Sequence, residues 1–311
     1  MRVAIVGVGG EGGFFGSRMI QAGNDVTLIA RGATLNALKL TGLIVDSNMF
    51  GSFNMKVKAT DNPSEVKSVD LVIFCVKTYD LEAAAQQMIP LIGAETVVIP
   101  VQNGIDAAER IGEIIGVEHL FGGVSWVNAI VKKPGVISHG GSARLIFGEL
   151  DGKSTNRSAE MQKRLVDAGI SAELHPHIKT AIWEKLVANS AINGVFSLTR
   201  LPAGPVMDCP ESWQLLRDTM EENAMVARAC GIPLPPDFVE KTLKPLGQYA
   251  RWARPSMQVD LMAGRRLELE AMIGAIVRLG ANKGIRTPIN TTIYGALKPH
   301  VNGIPTIPTP P

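Results

Sequence analysis

The sequence predicts an α/β N-terminal domain followed by an all-α C-terminal domain. Three observations carry that reading. Residues 1 to about 175 alternate short β-branched runs with helical stretches, the texture turns helical from Lys179 onward, and a glycine-rich junction joins the first strand to the first helix. Strands alternating with helices imply a parallel, doubly wound sheet. In such sheets, ligands bind beyond the carboxyl ends of the strands.

The first strand is Val3-Ala4-Ile5-Val6, and the helix behind it runs from Phe14 to Ala22. Between them stands Gly7-Val8-Gly9-Gly10-Glu11-Gly12, a G-x-G-x-x-G. In this context Gly7 makes the tight turn, Gly9 lets the backbone approach a pyrophosphate, and Gly12 lets helix and strand pack closely. The helix N-terminus offers free N–H groups and positive dipole to the phosphates. A glycine-rich turn with no ligand is the plain alternative. The order strand, motif, helix favours a Rossmann-like dinucleotide site. Glu11 fits least well, because it puts a carboxylate near a dianionic pyrophosphate; it is expected to point outward to solvent.

The second strand, Val26–Ala30, ends at Arg31-Gly32. An acid near this point holds the ribose 2′-hydroxyl of NAD, whereas an arginine suits a 2′-phosphate. The guanidinium fork matches phosphate geometry. Arg31 therefore argues for NADP(H), against the alternative of an ordinary surface arginine. Further strands are expected at Leu71–Val76, Thr96–Val101, Leu120–Val124, Val136–His139, Arg144–Gly148 and Ala172–His175, with a helix at Asn156–Ala168. Two strand ends carry polar groups, Val76-Lys77 and Val101-Gln102-Asn103-Gly104.

Composition closes off several function classes. The chain has 311 residues, 46% hydrophobic and 19% charged, which suits a soluble protein of two domains, here 1–175 and 176–311. A formal net charge of +2 leaves no electrostatic footprint for nucleic acid. No apolar run approaches the ~18 residues of a membrane span, and the first apolar run meets glycine too soon for a signal peptide. Cys75, Cys209 and Cys230 are widely spaced, with no C-x-x-C, and read as reduced thiols of a cytoplasmic protein. The histidines form no metal-ligand pattern, and His175-Pro-His177 reads as a strand-end turn. The tail from Ile304 to Pro311 is proline-rich and expected to be extended.

The C-terminal domain reads as helices over Lys179–Leu198, Ser212–Cys230, Asp237–Arg251, Ser256–Lys283 and Thr287–Lys298, with Gly231 as a stop and Pro288 as a start. In the first of these, Lys185, Asn189 and Asn193 recur every fourth residue along a largely apolar helix. That spacing makes one stripe, drifting about 40° per step. Unpaired polar groups are costly to bury, so the stripe faces either solvent or a cleft. In a cleft, a desolvated lysine is a proton donor near neutral pH. A second series, Ser256, Asp260, Gly264 and Glu268, lies along the fourth helix. Asp260 and Glu268 are candidates to pair with a lysine or with Arg265 or Arg266, and Ser256 after Pro255 suits an N-cap. On a continuous helix Ser256 and Glu268 stand ~18 Å apart and cannot touch one carbonyl.

This combination resembles the ketopantoate reductase (2-dehydropantoate 2-reductase) family over nearly the whole chain. The resemblance rests on the glycine loop, Arg31, Val76-Lys77-Thr78, Gln102-Asn103-Gly104, Trp183-Glu184-Lys185 with Asn189 and Asn193, and Ser256-Met257 with Asp260 and Glu268. It implies NADPH-dependent reduction of a 2-keto acid by a monomer or homodimer, with Lys185 as general acid. By the same resemblance Asn103, Lys185, Asn189, Asn193 and Ser256 hold the keto acid. Gly7, Val8, Gly9, Gly10, Glu11, Gly12, Arg31, Lys77, Asn103, Ala129 and Glu268 contact the cofactor. Two departures are Glu11, where the family often has a small residue, and Ala203, where some members offer another substrate-binding asparagine. A hydroxyacid or opine dehydrogenase, and a non-catalytic NADP-binding sensor, remain as alternatives.

Overall fold

The computed structural model describes residues 1–247 and 250–305. The expected tail lies outside the described residues from 306 onward. Two compact units share the chain. The first comprises Met1–Gln102 and Asp106–Ile182; the second comprises Asn103–Ile105 and the chain from Trp183.

The first unit contains ten strands. They are β1 (Arg2–Val6), β2 (Asp25–Ile29), β3 (Leu43–Ser47), β4 (Gly51–Met55), β5 (Lys58–Thr60), β6 (Leu71–Phe74), β7 (Val97–Pro100), β8 (Phe121–Lys133), β9 (Val136–Glu149) and β10 (Ser171–Leu174). Its helices are α1 (Gly10–Gln21), α2 (Gly32–Thr41), α3 (Leu81–Met88), α4 (Ala107–Ile115) and α5 (Asn156–Asp167). Five strands form a parallel sheet in the order β5-β2-β1-β6-β7. Alternation along β1 sorts its side chains onto two faces. Val3 and Ile5 pack with Phe14, Phe15 and Met19 of α1 and Leu35 and Leu38 of α2. Ala4 and Val6 pack with Leu81, Ala85 and Met88 of α3 and Ala107 and Ile111 of α4. Helices thus cover both faces, which is why these strands read as unbroken apolar runs. This is a Rossmann-like domain.

The remaining strands form a second sheet that the alternation pattern did not announce. Its order is β10-β9-β3-β4, with β8 antiparallel to β9. The expected strand Leu120–Val124 is only the start of β8. The two short strands expected at Val136–His139 and Arg144–Gly148 are one, β9. Gly140-Gly141 reads as a break, yet pairing carries on through it with register shifts. A β-bulge accommodates such a step without ending the ladder. Pro134-Gly135 joins β8 to β9, with Gly135 at φ +76, the signature of a type II turn. The hairpin β3–β4 was missed because β4 is mostly exposed and carries little apolar pattern.

The second unit is helical: α6 (Ile178–Thr199), entering from the first unit, then α7 (Ala203–Asp208), α8 (Pro210–Ala229), α9 (Phe238–Leu246), α10 (Ser256–Met262), α11 (Ile273–Asn282) and α12 (Pro288–Leu297). Helix α6 is buried nearly all round by Leu186, Val187, Ala191, Val195 and Phe196, as expected of a central helix. Helix α9 ends well short of the expected Arg251, and positions 248 and 249 lie outside the described residues. Pro288 opens α12, whose first N–H groups are taken by the buried Glu222 carboxylate through Ile289 (2.9 Å) and Asn290 (3.0 Å).

One correction changes the site. The single helix expected over Ser256–Lys283 is two helices separated by ten residues. Gly264, at φ +64, stops the first. Its N–H donates to the Leu261 carbonyl (3.1 Å), and the Arg265 N–H donates to the Asp260 carbonyl (2.9 Å). These two bonds make a Schellman motif, for which glycine in the left-handed region is the usual terminator. Gly264 is therefore a stop, not a member of a stripe. Ser256 is also not an N-cap: Pro255 holds that position and Ser256 is the first helical residue.

No helix among the described residues is long and apolar enough to cross a membrane. No group of three metal-ligating side chains occurs among them, and the three cysteines are free thiols.

Candidate active site

In the first unit the strand order reverses beside β1, between β1 and β6, where Rossmann-type sheets open a ligand crevice. The glycine loop leaves β1 at that point, and its glycines do different work. A Cβ on Gly7 would lie 2.8 Å from the Val76 amide nitrogen. One on Gly12 would lie 2.0 Å from the Gly7 carbonyl oxygen, and one on Gly10 would lie 2.0 Å from the Ala129 carbonyl oxygen. These three are glycines because protein backbone is already there. Ala129, on β8, is thereby brought against the loop. Gly9 is different: nothing lies within 4 Å of an added Cβ. It is the N-cap of α1 and offers no side chain to the first N–H groups of that helix. An open cradle at an uncapped helix N-terminus fits a phosphate. Val8 is buried.

Glu11 does not point outward. It is half-buried in the first turn of α1, where a carboxylate complements the helix dipole. Its charge, after burial itself, pushes the thiol of Cys75 further above the ordinary range. Arg31 is the N-cap residue of α2, immediately beyond β2, and its guanidinium is ion-paired with Asp80. Lys77 precedes the 3-10 turn Thr78–Asp80 that follows β6, and the Asp80 N–H donates to the Lys77 carbonyl at 2.9 Å. The Gln102 amide donates to the Phe74 (2.7 Å) and Val76 (3.1 Å) carbonyls, tying together the ends of β6 and β7. Its Oε1 is buried without a hydrogen-bond partner.

In the second unit the polar stripe of α6 does not face solvent. Asn193 is fully buried and Asn189 half-buried. The two belong to a chain of amides of one polarity. The Met257 N–H donates to Asn193 Oδ1 at 2.8 Å. Asn193 Nδ2 donates to Asn189 Oδ1 at 2.9 Å, and Asn189 Nδ2 to Asn103 Oδ1 at 3.1 Å. Asn103 Nδ2 then donates to Glu268 Oε2 at 3.3 Å. A backbone N–H can only donate and an ionised carboxylate can only accept. The two ends therefore fix the orientation of all three amides. The chain brings together Asn103, Asn189, Asn193, Glu268 and the first turn of α10. The distance argument from a continuous helix fails here, because the Gly264 stop lets Glu268 return to the network that Met257 joins.

Lys185 lies one turn before Asn189 on α6, half-buried, about 6 Å along the axis. Ser256 is exposed, next to Met257. Asp260 pairs with Arg265 at 2.8 Å, one of the partners anticipated for it. Ala203 is buried at the start of α7, its N–H donating to the Ala253 carbonyl at 3.0 Å. Two groups escaped the sequence reading: Asp80 and the Met257 N–H. The first lay two residues beyond the quoted Lys77-Thr78, and the last is backbone, which no residue type announces.

Residues 3–152 match the profile of the family described as Ketopantoate reductase PanE/ApbA, and residues 177–301 match its C-terminal part. The chain belongs to the ketopantoate reductase family. It is similar to the 2-dehydropantoate 2-reductase of Archaeoglobus fulgidus, 31% identical over 303 residues, covering 97% of this chain and 99% of that one. Among solved ketopantoate reductase structures, the 2-dehydropantoate 2-reductase of Geobacter metallireducens aligns with a TM-score of 0.91 at 30% identity, over 96% and 99% of the two chains. A D-mandelate dehydrogenase solved with NADH and anilino(oxo)acetate also aligns, with a TM-score of 0.89 at 25% identity, over 96% and 98%. As a ketopantoate reductase family member the chain is an oxidoreductase.

Proposed function

We propose that the protein reduces 2-dehydropantoate (ketopantoate) to pantoate with NADPH, with Lys185 as the general acid. The observation that carries the reading is the oriented amide chain Asn193–Asn189–Asn103, whose middle member stands one helical turn from Lys185. A nicotinamide held there would supply the hydride that adds to the ketone carbon. Negative charge then grows on the carbonyl oxygen, and the Lys185 ammonium stabilises that charge and releases its proton to it. Asn189 and Asn193 are held rigidly by their neighbours, so they orient substrate without reorganising during the reaction. Asn103 has one amide hydrogen beyond the bond to Glu268 and can donate it to a ligand. The exposed Ser256 hydroxyl is assigned to the keto-acid carboxylate. The Met257 N–H is taken by Asn193, so it is not a second donor there. Backbone N–H groups of Gly10 to Gly12 hold the pyrophosphate, Lys77, Ala129 and Glu268 further contacts, and Arg31 the 2′-phosphate. The reading carries with it a cytoplasmic role in pantothenate biosynthesis.

A second reading keeps the same machinery and changes the substrate: another 2-keto acid, reduced as in a D-mandelate dehydrogenase. Ala203, small and buried where some family members offer asparagine, favours it. Following NADPH and NADH oxidation with ketopantoate beside branched and aryl-substituted 2-keto acids separates the two. Fastest turnover with ketopantoate and NADPH supports the first reading. Turnover only with other 2-keto acids supports the second, and cofactor binding with no turnover on any acid points to a sensor.

Three substitutions follow from the assignments. Arg31→Ala is expected to weaken NADPH binding by about 1.5 kcal/mol, roughly tenfold, the low end for a charge-assisted contact, because the side chain is 75% exposed. NADH binding should barely change; equal losses for both cofactors would remove Arg31 from the 2′-phosphate. Asn189→Ala and Asn193→Ala are expected to raise KM more than they lower kcat, as for groups that hold the ground-state substrate. Steady-state kinetics reads both numbers, and silent variants would argue against the amide chain as a substrate platform.

A further inference from the structure

A carboxylate already occupies the arginine assigned to the 2′-phosphate. Arg31 follows β2, and Asp80 ends the 3-10 turn that follows β6. In the sheet, β2 and β6 are the two neighbours of β1, from which the glycine loop departs. The Arg31–Asp80 ion pair therefore spans the carboxyl end of β1, over the mouth of the crevice. Arg31 is 75% exposed and Asp80 28% exposed, and ion pairs in such settings do little for folding.

We infer that Asp80 is a specificity-determining counter-ion, holding the Arg31 guanidinium until a 2′-phosphate takes it over. This rests on the assignment of Arg31 made above. The planar guanidinium fork matches carboxylate and phosphate alike, so the two anions compete for the same donors. NADPH brings a replacement anion for the one it displaces. NADH brings a neutral 2′-hydroxyl, which has no charge with which to displace the carboxylate. Once displaced, Asp80 still repels the dianionic phosphate nearby, an interaction only partly screened at physiological salt. Asp80 therefore opposes NADPH more than NADH and narrows the preference that Arg31 creates.

The test measures dissociation constants of NADPH and NADH by cofactor fluorescence at one fixed ionic strength. It uses the wild-type chain, Arg31→Ala, Asp80→Asn and the double variant, with thermal melting as a fold control. Asp80→Asn is expected to raise the ratio Kd(NADH)/Kd(NADPH) by ~2–10-fold, mainly by tightening NADPH. The melting temperature should stay near wild type. In the Arg31→Ala background the same substitution should change the ratio less, because no guanidinium is released. An unchanged or lower ratio in Asp80→Asn overturns the inference, as does an equal change in both backgrounds. If Arg31→Ala itself leaves the ratio at the wild-type value, the assignment of Arg31 fails first. If Arg31→Ala lowers the ratio but Asp80→Asn does nothing, the counter-ion role alone is lost.

Discussion

Lys185→Ala is expected to lower kcat with the best 2-keto acid by ~10²–10⁴-fold, the range removed with a general acid. The effect is large because the ammonium does two things at one atom: it neutralises the developing oxyanion and supplies the proton. NADPH affinity should be nearly unchanged, because the proposed pyrophosphate and 2′-phosphate contacts are all in the first unit. Steady-state and single-turnover kinetics beside a fluorescence titration measure both quantities. Near-normal turnover by this variant would end the proposed mechanism. Retained kcat with a raised KM would instead make Lys185 a substrate-binding group. Lys185 sits on a helix buried nearly all round, so removing its aliphatic stem has a packing cost. Lys185→Met, which keeps most of the stem, is the control that separates chemistry from packing.

The glycine loop gives the second large effect, as a contrast between two neighbouring positions. Gly9→Ala should fold normally: nothing lies within 4 Å of the new methyl, and its φ of −83 suits any residue. NADPH binding should nevertheless fall roughly 10–100-fold, the loss of one charge-assisted phosphate contact to the intruding methyl. Gly12→Ala should do the reverse. Its Cβ would lie 2.0 Å from the Gly7 carbonyl oxygen, so α1 must move away from β1. The expected cost is about 1–3 kcal/mol of stability, as for overpacking elsewhere, read as a lower melting temperature. Wild-type cofactor affinity in Gly9→Ala would mean that the loop does not cradle the pyrophosphate.

The expected loop stands at the first strand–helix junction because short-range rules suffice there: a buried strand, a tight turn and a helix start all leave marks within a dozen residues. Arg31 at the end of β2 was legible for the same reason. Lys185, Asn189 and Asn193 were legible as a stripe because α6 is one uninterrupted helix. Ser256 and Glu268 were found as residues but misread as geometry. The spacing of four continued through Gly264, and only the pair of capping bonds there distinguishes a stop from a tolerated glycine. Glu11 was read from the repulsion between its charge and a pyrophosphate, which favours solvent; it is half-buried in the first turn of α1, where a carboxylate complements the helix dipole.

What the sequence by itself determined is what local periodicity and residue chemistry encode: an α/β first half, a helical second half, a glycine-rich loop after the first strand with an arginine after the second, and a lysine–asparagine face. What only the tertiary structure decided depends on pairing between distant segments. The β8–β9 ladder carries through two glycines because its partner strand supplies hydrogen bonds on both sides of the bulge. Asn103 meets Glu268 across 165 positions of chain, and Arg31 meets Asp80 across 49. The direction of the amide chain is set by a backbone N–H at one end and a carboxylate at the other, groups whose proximity no spacing in the sequence reveals. Hydrogen-bond polarity is a property of the assembled network, so it exists only once the fold has closed the loops between its members.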